Sequence, residues 1–272
     1  MLNHSNVLVS SVLYHHTQAD IQATLDSLLT SEAVRKIILV DNGGCDWANQ
    51  LNHPKITYLK SPKNGGFGYG HNLAMRKFAK DSEFFLICNP DIYFEPSQLD
   101  QLINIAKHRE EGLFSPKICY PNGKNQYGQR LLPTPLNLFT RRFLPTLADK
   151  LDETYLLKHM HFDKPSFVPV CSGSFMLFRS KALLALKGFD DRYFMYMEDF
   201  DLSRRCAVQF SNCYVPDITV YHEHAQGSYR SSKLLKCHIQ SAIKYFNKWG
   251  WLFDKGRREF NKLVILKQNA QN

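Results

Sequence analysis

The stretch FFLICNPDIYF, residues 84–94, places one carboxylate directly after an unusually apolar run. Residues 84–88 are typical of a strand buried on both faces, as in the middle of a parallel sheet, and Asn89-Pro90 ends that strand. Asp91 follows at once, and two interpretations fit. It either caps a turn or, with Asn89 beside it, serves as a hard oxygen ligand for a divalent metal on a diphosphate.

The segments around this strand predict an α/β protein with a mainly parallel central sheet flanked by helices. Apolar runs predict strands over 6–14, 35–44 and 55–61, and helical spacing predicts helices over 20–32, 70–81 and 96–111. Ligands of such sheets bind outside the carboxyl ends of the strands. Asp41 and Asp91 each end a strand, and we expect them at the same edge.

Composition limits the class of protein. The 272 residues are 44% hydrophobic, enough for the core of one large domain, and the formal charge of +9 suits a phosphorylated substrate, nucleic acid or an acidic membrane surface. Seven scattered cysteines without a CxxC pair indicate reduced thiols in a cytosolic protein. The beginning of the chain does not resemble a signal peptide, and no apolar run reaches the ~20 residues of a membrane span. We therefore expect a cytoplasmic protein whose membrane contact, if any, is peripheral, at the inner face of the plasma membrane.

Two regions differ in character from the rest. Residues 121–169 are rich in Pro, Gly and Arg without a clear period, which predicts a long excursion over the active face. The C-terminal part is helical in pattern, basic and aromatic. We predict a domain over 1–230 and a basic C-terminal helical extension over 231–272.

The glycine-dense stretch KNGGFGYGHN, residues 63–72, precedes a helix and suggests either a phosphate cradle or a tight turn. It lacks the Gly-Lys-Ser/Thr of a Walker A motif and the Gly-x-Gly-x-x-Gly dinucleotide fingerprint. The missing fingerprint counts against a nicotinamide-dependent oxidoreductase.

The stretch MEDFDLSRR, residues 197–205, is the most informative. Glu198, Asp199 and Asp201 crowd three carboxylates into four residues, directly after bulky aromatics. They either match the dipole of a helix start or supply a general base whose pKa is raised by burial. Asp201 can pair with Arg204 or Arg205 along the helix.

The stretch VYHEHAQGS, residues 220–228, contains His222 and His224. Residues two apart on a strand share a face, so both could reach one ion, although a single histidine is more often an ordinary core or surface residue. One metal ligand is the simpler interpretation, and the choice between the two histidines stays open.

Taken in order, these stretches resemble the family 2 glycosyltransferases, whose fold is the nucleotide-sugar-binding GT-A type. The resemblance runs from about residue 6 to about residue 250 through IILVDNGG, NGGFGYGHNLAM, LICNPDIYF, SGSFMLFRSKALLALKGFDDRYFMYMEDFDLSRR and VPDITVYHEHAQGS. The Asn-Pro-Asp form of the family's Asp-x-Asp motif is similar to its rhamnosyltransferase-like branch. Because Asn89 replaces the first acid, the ion would depend more on water ligands.

The resemblance implies a role for each matching residue. Asp199 would be the catalytic base, with Glu198, Asp201 and Arg205 supporting it. Asp91 and His222 or His224 would bind Mg²⁺ or Mn²⁺. The donor would contact Asp41, Asn42, Asn64, Gly66, Asn72, Asn89 and Asp91.

The implied activity is inverting transfer of a sugar from a nucleotide-sugar donor, either dTDP-rhamnose or a UDP-sugar. The acceptor would be a lipid-linked or core oligosaccharide of a bacterial surface polysaccharide or lipopolysaccharide. A basic nucleic-acid-binding protein is the alternative from another class, but no nucleic-acid-binding motif appears, and we expect no nucleic-acid partner. A nicotinamide-dependent oxidoreductase is the enzymatic alternative.

Overall fold

The computed structural model describes residues 7–143, 151–223 and 232–269. The strands are β1 Val7–Leu13, β2 Val34–Asp41, β3 Ile56–Lys60, β4 Phe84–Cys88, β5 Ile92–Tyr93, β6 Leu113–Cys119, β7 Phe175–Arg179 and β8 Asn212–His222. The helices are α1 Gln18–Thr30, α2 Phe67–Phe78, α3 Pro96–Lys107, α4 Pro135–Phe143, α5 Ser180–Ala185, α6 Glu198–Gln209, α7 Ser232–Trp249 and α8 Lys255–Asn269. Short 3₁₀ turns lie at Asp46–Gln50 and Ala79–Asp81, and residues 151–155 are also helical.

The strands form one sheet in the order β3-β2-β1-β4-β7-β6-β8-β5. Strands β1 to β4 are parallel to one another, β7 is antiparallel to β4 and β6, and β8 is parallel to β6. The carboxyl ends of β2, β4 and β8 therefore meet at one edge of the sheet, where β7 begins. The strand ends that carry Asp41, Asp91 and His222 share this edge.

Strand β4 is buried on both faces, as its sequence predicts. Phe84 and Leu86 face the core cluster formed with α1 and α3, whereas Phe85 and Ile87 face the cluster formed with α2, α5, α6 and α7. Alternate residues of a strand point to opposite faces, so one apolar run supplies both layers. All five residues of β4 are at most 1% exposed.

The sheet is more mixed than the predicted, mainly parallel arrangement. Strand β6 ends at the carboxyl edge and β7 starts at the same edge, so β7 runs antiparallel to its neighbours. Strands β6 and β8 have no clear signal in the sequence, because β6 contains Pro116 and β8 contains Pro216. The ladder between β6 and β8 shifts register at Pro116, which lacks a backbone donor.

The C-terminal helices pack on the body of the fold. Tyr245 and Phe246 of α7 and Val264 of α8 belong to the same core cluster as α2 and α6. Arg204 of α6 forms a buried, two-pronged ion pair with Asp254, which precedes α8. Among the described residues, no helix is both long enough and apolar enough to cross a membrane.

Candidate active site

The turn after β4 meets the end of β8 at the carboxyl edge of the sheet. Strand β5 pairs antiparallel with β8, which sets Ile92 opposite His222, and the backbone N–H of Glu223 donates to the carbonyl of Asp91. On the other side of the turn, Thr24 Oγ1 donates to the Pro90 carbonyl at 2.6 Å. The backbone of the Asn-Pro-Asp turn is thus fixed from both sides.

Three polar side chains converge at this turn. His222 Nε2 lies 3.2 Å from Asp91 Oδ1 and 3.4 Å from the amide nitrogen of Asn89. The His222 side chain is 7% exposed, whereas that of Asp91 is 29% exposed. The carboxylate therefore opens toward solvent above an otherwise buried imidazole.

Gln126 determines which nitrogen of His222 carries the proton. Its amide Nε2 donates to the His222 carbonyl at 2.7 Å, so its Oε1 is left to accept from His222 Nδ1 at 3.0 Å. With the hydrogen on Nδ1, neutral His222 presents the lone pair of Nε2 toward Asp91. In this tautomer His222 Nε2 and Asp91 Oδ1, 3.2 Å apart, both offer electron pairs, an arrangement that suits a cation.

The donor set fits a divalent metal. Carboxylate and amide oxygens suit Mg²⁺ and Mn²⁺, and a neutral imidazole held through its other nitrogen is an established type of ligand. The side-chain oxygen of Asn89 is buried and has no hydrogen-bond partner. Within the described residues, no group of three His, Cys, Asp or Glu could hold a metal, so this site would need oxygens from substrate and water.

The glycine-dense loop contacts the turn that precedes α6. Gly66 has φ +96°, and a Cβ added there would lie 1.8 Å from the carbonyl oxygen of Phe194, so only glycine fits. The backbone N–H of Phe67 donates to the same carbonyl at 3.0 Å. Asn64 accepts from the Gly66 N–H, and Asn42 donates to the Gly66 carbonyl at 2.9 Å.

The turn before α6 is strained. Tyr196 and Met197 are consecutive non-glycine residues in the left-handed region, with φ of 70° and 67°. Such backbone costs about 1–3 kcal/mol per residue and persists only where its surroundings impose it. Here Ser241 Oγ of α7 donates to the Met195 carbonyl at 2.8 Å, and the ring of Tyr196 lies 4.8 Å from that of His238.

Glu198 and Asp199 open α6, as the sequence predicts. Asp199 accepts two backbone N–H groups, from Gly173 at 3.1 Å and from Phe200 at 2.9 Å. Burial raises the pKa of Asp199, while the charge of Arg130 and these two donors oppose the rise. Burial, with a further contribution from the charge of Asp199, raises the pKa of Glu198 well above its usual range. Glu198 is 6% exposed, and its Oε2 has no hydrogen-bond partner.

Arg130 lies close enough to Asp199 for its charge to act on that carboxylate, although no sequence pattern singles it out. Its guanidinium is 5.8 Å from the ring centroid of Phe200, and its Nε donates to the Tyr127 carbonyl at 3.1 Å. Its positive charge lowers the pKa of Asp199.

A single turn of chain joins the two acidic sites. Gly173 donates to Asp199, and the carbonyl of the next residue, Ser174, accepts from the backbone N–H of Asn89 at 2.9 Å. Asn89, next to Asp91 and His222, therefore lies on one side of residues 173–174, and Asp199 lies on the other.

Asp41 is at the expected edge, but its carboxylate is fully buried. The backbone N–H groups of Gly43 and Cys45 donate to Oδ1, and Tyr58 donates to Oδ2 at 2.9 Å. These contacts show that Asp41 fixes the turn after β2. Its contact with a nucleoside stays a prediction.

Asn72 holds two elements together. Its amide donates to the Phe189 carbonyl and to Asp191, and its oxygen accepts the Phe189 N–H. These bonds tie α2 to the loop that leads to the base. A contact of Asn72 with the donor stays a prediction.

Asp201 and Arg205 also hold elements together. Asp201 pairs with Arg205 rather than with Arg204, and it accepts from Trp249 Nε1 at 2.8 Å. Arg205 donates to the carbonyls of Leu186 and Gly188. The pair therefore joins α6 to α7 and to the loop after α5.

Comparison with known proteins agrees with this geometry. The family model described as glycosyl transferase family 2 matches residues 12–186, more than half of the chain. The chain belongs to glycosyl transferase family 2.

Two relatives of this family 2 member are named as rhamnosyltransferases. N-acetylglucosaminyl-diphospho-decaprenol L-rhamnosyltransferase of Mycobacterium tuberculosis is 28% identical over 233 residues, which cover 79% of this chain and 76% of the relative. Rhamnosyltransferase WbbL of Escherichia coli K12 is 24% identical over 250 residues, which cover 88% of this chain and 92% of the relative.

The fold of this family 2 member is similar to the crystal structure of GalNAc-T7 with UDP, GalNAc and Mn²⁺, with a TM-score of 0.65 and 15% identity. The match covers 89% of this chain and 48% of that chain, so this chain spans about half the length of that protein. The likeness confirms the predicted GT-A fold. Neither the nucleic-acid-binding nor the oxidoreductase alternative gains support from these comparisons.

Sequence reasoning missed Gln126, Arg130 and Gly173 in this family 2 member. Gln126 and Arg130 lie in the stretch without a period, and only the fold brings them to residues about 70 to 100 positions away. The beginning of that stretch lies against the site, as predicted for residues 121–169. His224, the alternative metal ligand, lies outside the described residues.

Proposed function

We propose that this family 2 member is a metal-dependent inverting glycosyltransferase that uses a nucleotide-sugar donor. The observation that carries the proposal is the segment 173–174, which contacts Asp199 with one residue and Asn89 with the next. A donor whose diphosphate lies at Asp91 would thus place its anomeric carbon within reach of Asp199.

Asp91, His222 and the Asn89 amide would hold Mg²⁺ or Mn²⁺, and the ion would neutralise the charge that develops on the departing nucleoside diphosphate. Gln126 keeps the lone pair of His222 Nε2 directed at this position. The main chain of Gly66 and Phe67 packs on the carbonyl of Phe194 and so fixes the glycine-dense loop against the turn that leads to Asp199.

Asp199 would accept the proton of the acceptor hydroxyl as that oxygen attacks the anomeric carbon. Burial raises its pKa and makes it a stronger base, whereas Arg130 and two backbone donors oppose the rise and favour the ionised form. Burial raises the pKa of Glu198, which favours its protonated form and disfavours its action as a competing nucleophile. One base without a nucleophile gives a single displacement with inversion.

We propose rhamnose, from dTDP-rhamnose, as the transferred sugar and a UDP-sugar as the alternative donor. The names of the two rhamnosyltransferase relatives support this choice, and so does the Asn-Pro-Asp motif. The name of the mycobacterial relative supports a lipid-diphosphate-linked acceptor that begins with N-acetylglucosamine. The product would belong to a bacterial surface polysaccharide or lipopolysaccharide.

Location and domain division are also proposals. Residues 1–230 would form the GT-A domain, residues 231–272 would form a C-terminal helical extension, and the protein would act in the cytoplasm at the inner face of the plasma membrane. The lipid-linked acceptor of the mycobacterial relative's name supports this location.

A transfer assay with a panel of donors tests the proposal. Purified protein would be incubated with a polyprenyl-diphosphate N-acetylglucosamine acceptor, with Mn²⁺ or chelator, and separately with dTDP-rhamnose, UDP-glucose, UDP-galactose and GDP-mannose. We expect metal-dependent product from dTDP-rhamnose, with the opposite anomeric configuration to the donor by NMR. Product with retained configuration would contradict the single displacement, and equal product under chelator would contradict the metal.

A further inference from the structure

The loop between α7 and α8 exposes three consecutive large apolar residues. Trp251, Leu252 and Phe253 are 44%, 72% and 87% exposed, and we call these three residues the apolar tip. Single exposed apolar side chains are common on soluble proteins, but consecutive ones at the end of a hairpin of helices are a recognised sign of a binding surface.

The tip is held in place by buried groups. Arg257 is 6% exposed, and its guanidinium donates to the carbonyls of Trp251, Leu252 and Pro133 at 3.1–3.3 Å. Gly250 has φ +105°, and a Cβ there would lie 2.7 Å from the Phe253 carbonyl. Because the carbonyls of the tip are satisfied inside, its side chains are left to project outward.

Asp254 closes the tip on its C-terminal side. Its Oδ1 accepts the Arg257 N–H at 2.9 Å and so caps α8, while its carboxylate pairs with Arg204. Both members of that ion pair are at most 4% exposed. A buried ion pair breaks only at a high cost, so the base of the tip is rigid.

The positive charge of the protein is concentrated in the two helices that the tip connects. Residues 232–269 contain nine Lys and Arg against two Asp and Glu, a net charge of +7, whereas all remaining residues contain 25 against 23, a net charge of +2. Lys255, Arg258 and Lys262 lie three or four residues apart on α8 and are all exposed, so they share a face that starts at the tip.

A second pair of exposed apolar residues lies near this face. Leu136 and Phe139 of α4 are 54% and 53% exposed. The backbone just before α4 is fixed to α8, because Asn261 exchanges two hydrogen bonds with Leu132. Leu136 and Phe139 thus lie on a helix whose preceding residues are fixed to α8.

We propose that the apolar tip inserts into the interfacial region of an anionic lipid bilayer while the basic face of α8 contacts the headgroups. An aromatic and aliphatic tip beside lysine and arginine is complementary to this surface, since apolar burial and attraction to anionic lipid add. This proposal names the element that would make the peripheral membrane contact proposed above. Its test does not depend on sugar transfer.

The two neighbouring tryptophans make the test specific. Trp251 belongs to the tip, and its ring lies 5.2 Å from that of Phe246. Trp249 is partly buried and donates to Asp201 inside the protein. Brominated phosphatidylcholine quenches only tryptophans that enter the acyl region, so quenching must disappear in Trp251→Phe and persist in Trp249→Phe.

The experiment is flotation of the full chain with vesicles of phosphatidylcholine alone or mixed with phosphatidylglycerol. We expect binding to the mixed vesicles that weakens with salt, and at least about tenfold weaker binding for Leu252→Ser/Phe253→Ser, from the loss of two apolar side chains. Val208→Ser is the matched control, because Val208 is an equally exposed apolar residue, at 60%, on α6. It should bind like the wild type.

Two results would overturn the proposal. One is equal binding of the tip variant and the wild type, with unaltered thermal unfolding of both. The other is a wild-type protein that ignores the vesicles but forms a dimer by sedimentation that the tip variant abolishes, which would assign the tip to self-association. A Lys255→Gln/Arg258→Gln variant separates charge from insertion, since it should lose the preference for anionic vesicles and keep residual salt-independent binding.

Discussion

The two acidic sites of this protein contain the same kind of side chain in opposite surroundings. Asp91 stands at the end of a strand, open to solvent, next to an imidazole whose lone pair faces it. Asp199 stands at the start of a helix behind a strained turn, and burial raises its pKa. The surroundings of Asp91 suit a bound cation, whereas those of Asp199 suit a carboxylate that accepts a proton.

The difference shows how one residue type acquires two chemistries a short distance apart. Strand ends and a fixed histidine tautomer create a place for positive charge at Asp91. At Asp199, burial raises the pKa, while two backbone donors and the charge of Arg130 oppose the rise, which suits the proposed general base. Substitutions around Asp91 should therefore impair metal and donor binding, whereas substitutions around Asp199 should impair turnover.

The largest expected effect is that of Asp199→Asn. Removal of a general base costs about 10²–10⁴-fold in turnover, and we expect a loss near the middle of that range with donor affinity unchanged. Nucleotide release reports turnover, and a separate donor titration reports donor affinity. Asp217→Asn, on the exposed side of β8, is the control and should behave like the wild type. A loss of donor affinity in Asp199→Asn would contradict the division between the sites.

The next effect is on metal affinity and concerns Gln126→Leu. Loss of the partner of a metal-ligating histidine typically lowers metal affinity about 10–100-fold, and we expect a value in this range for Mn²⁺. The matched control is Gln98→Leu, which removes an amide that accepts the backbone N–H of Thr219 on the same strand. Mn²⁺ binding would be followed by electron paramagnetic resonance. Equal affinities of the two variants would remove Gln126 from the site.

Some features of the fold and of the candidate site can be predicted from local sequence, and others cannot. The two-faced burial of β4, the helix start at Glu198 and the strand-end position of Asp91 follow from local patterns. Gln126 and Arg130 do not, because their partners are distant in sequence and their own segment has no period. The antiparallel direction of β7 depends on the path of residues 120–174, which no local propensity encodes.

Local sequence also predicted a donor contact for Asn72 and a supporting role for Asp201, and both stay predictions. Each is fully buried and hydrogen-bonded to neighbouring elements. Polar residues within functional motifs often hold the backbone rather than the ligand, and the sequence alone cannot separate the two roles.

A smaller effect is expected for Arg130→Gln, on the pH dependence of turnover. The charge of Arg130 lowers the pKa of Asp199, so its removal raises that pKa and moves the acid limb of the rate profile to higher pH. At neutral pH we expect a loss of several-fold, which shrinks as the pH rises. Arg130→Lys keeps the charge and should restore most of the profile. An unshifted acid limb in Arg130→Gln would show that Asp199 does not sense this arginine.

The smallest expected effect is on stability and concerns Glu198→Gln. Because burial raises the pKa of Glu198 in the folded protein, the native state keeps a proton that the unfolded state releases above its usual pKa of 4.5. Wild-type stability should therefore fall as the pH rises above that value, and the variant should lack this fall. Urea unfolding at several pH values should show the variant gaining on the wild type with rising pH, by about 1.4 kcal/mol at most for each pH unit above 4.5. A constant difference across pH would mean that Glu198 is ionised in the folded state.

The most direct test of the central claim is calorimetric titration of dTDP-rhamnose into three proteins, each with Mn²⁺ and with chelator. The wild type and Asp199→Asn should bind the donor only with Mn²⁺, and Asp91→Ala should bind it in neither condition, because only Asp91 belongs to the cation site. Metal-independent binding of equal strength in all three proteins would contradict the assignment of the cation to Asp91 and His222.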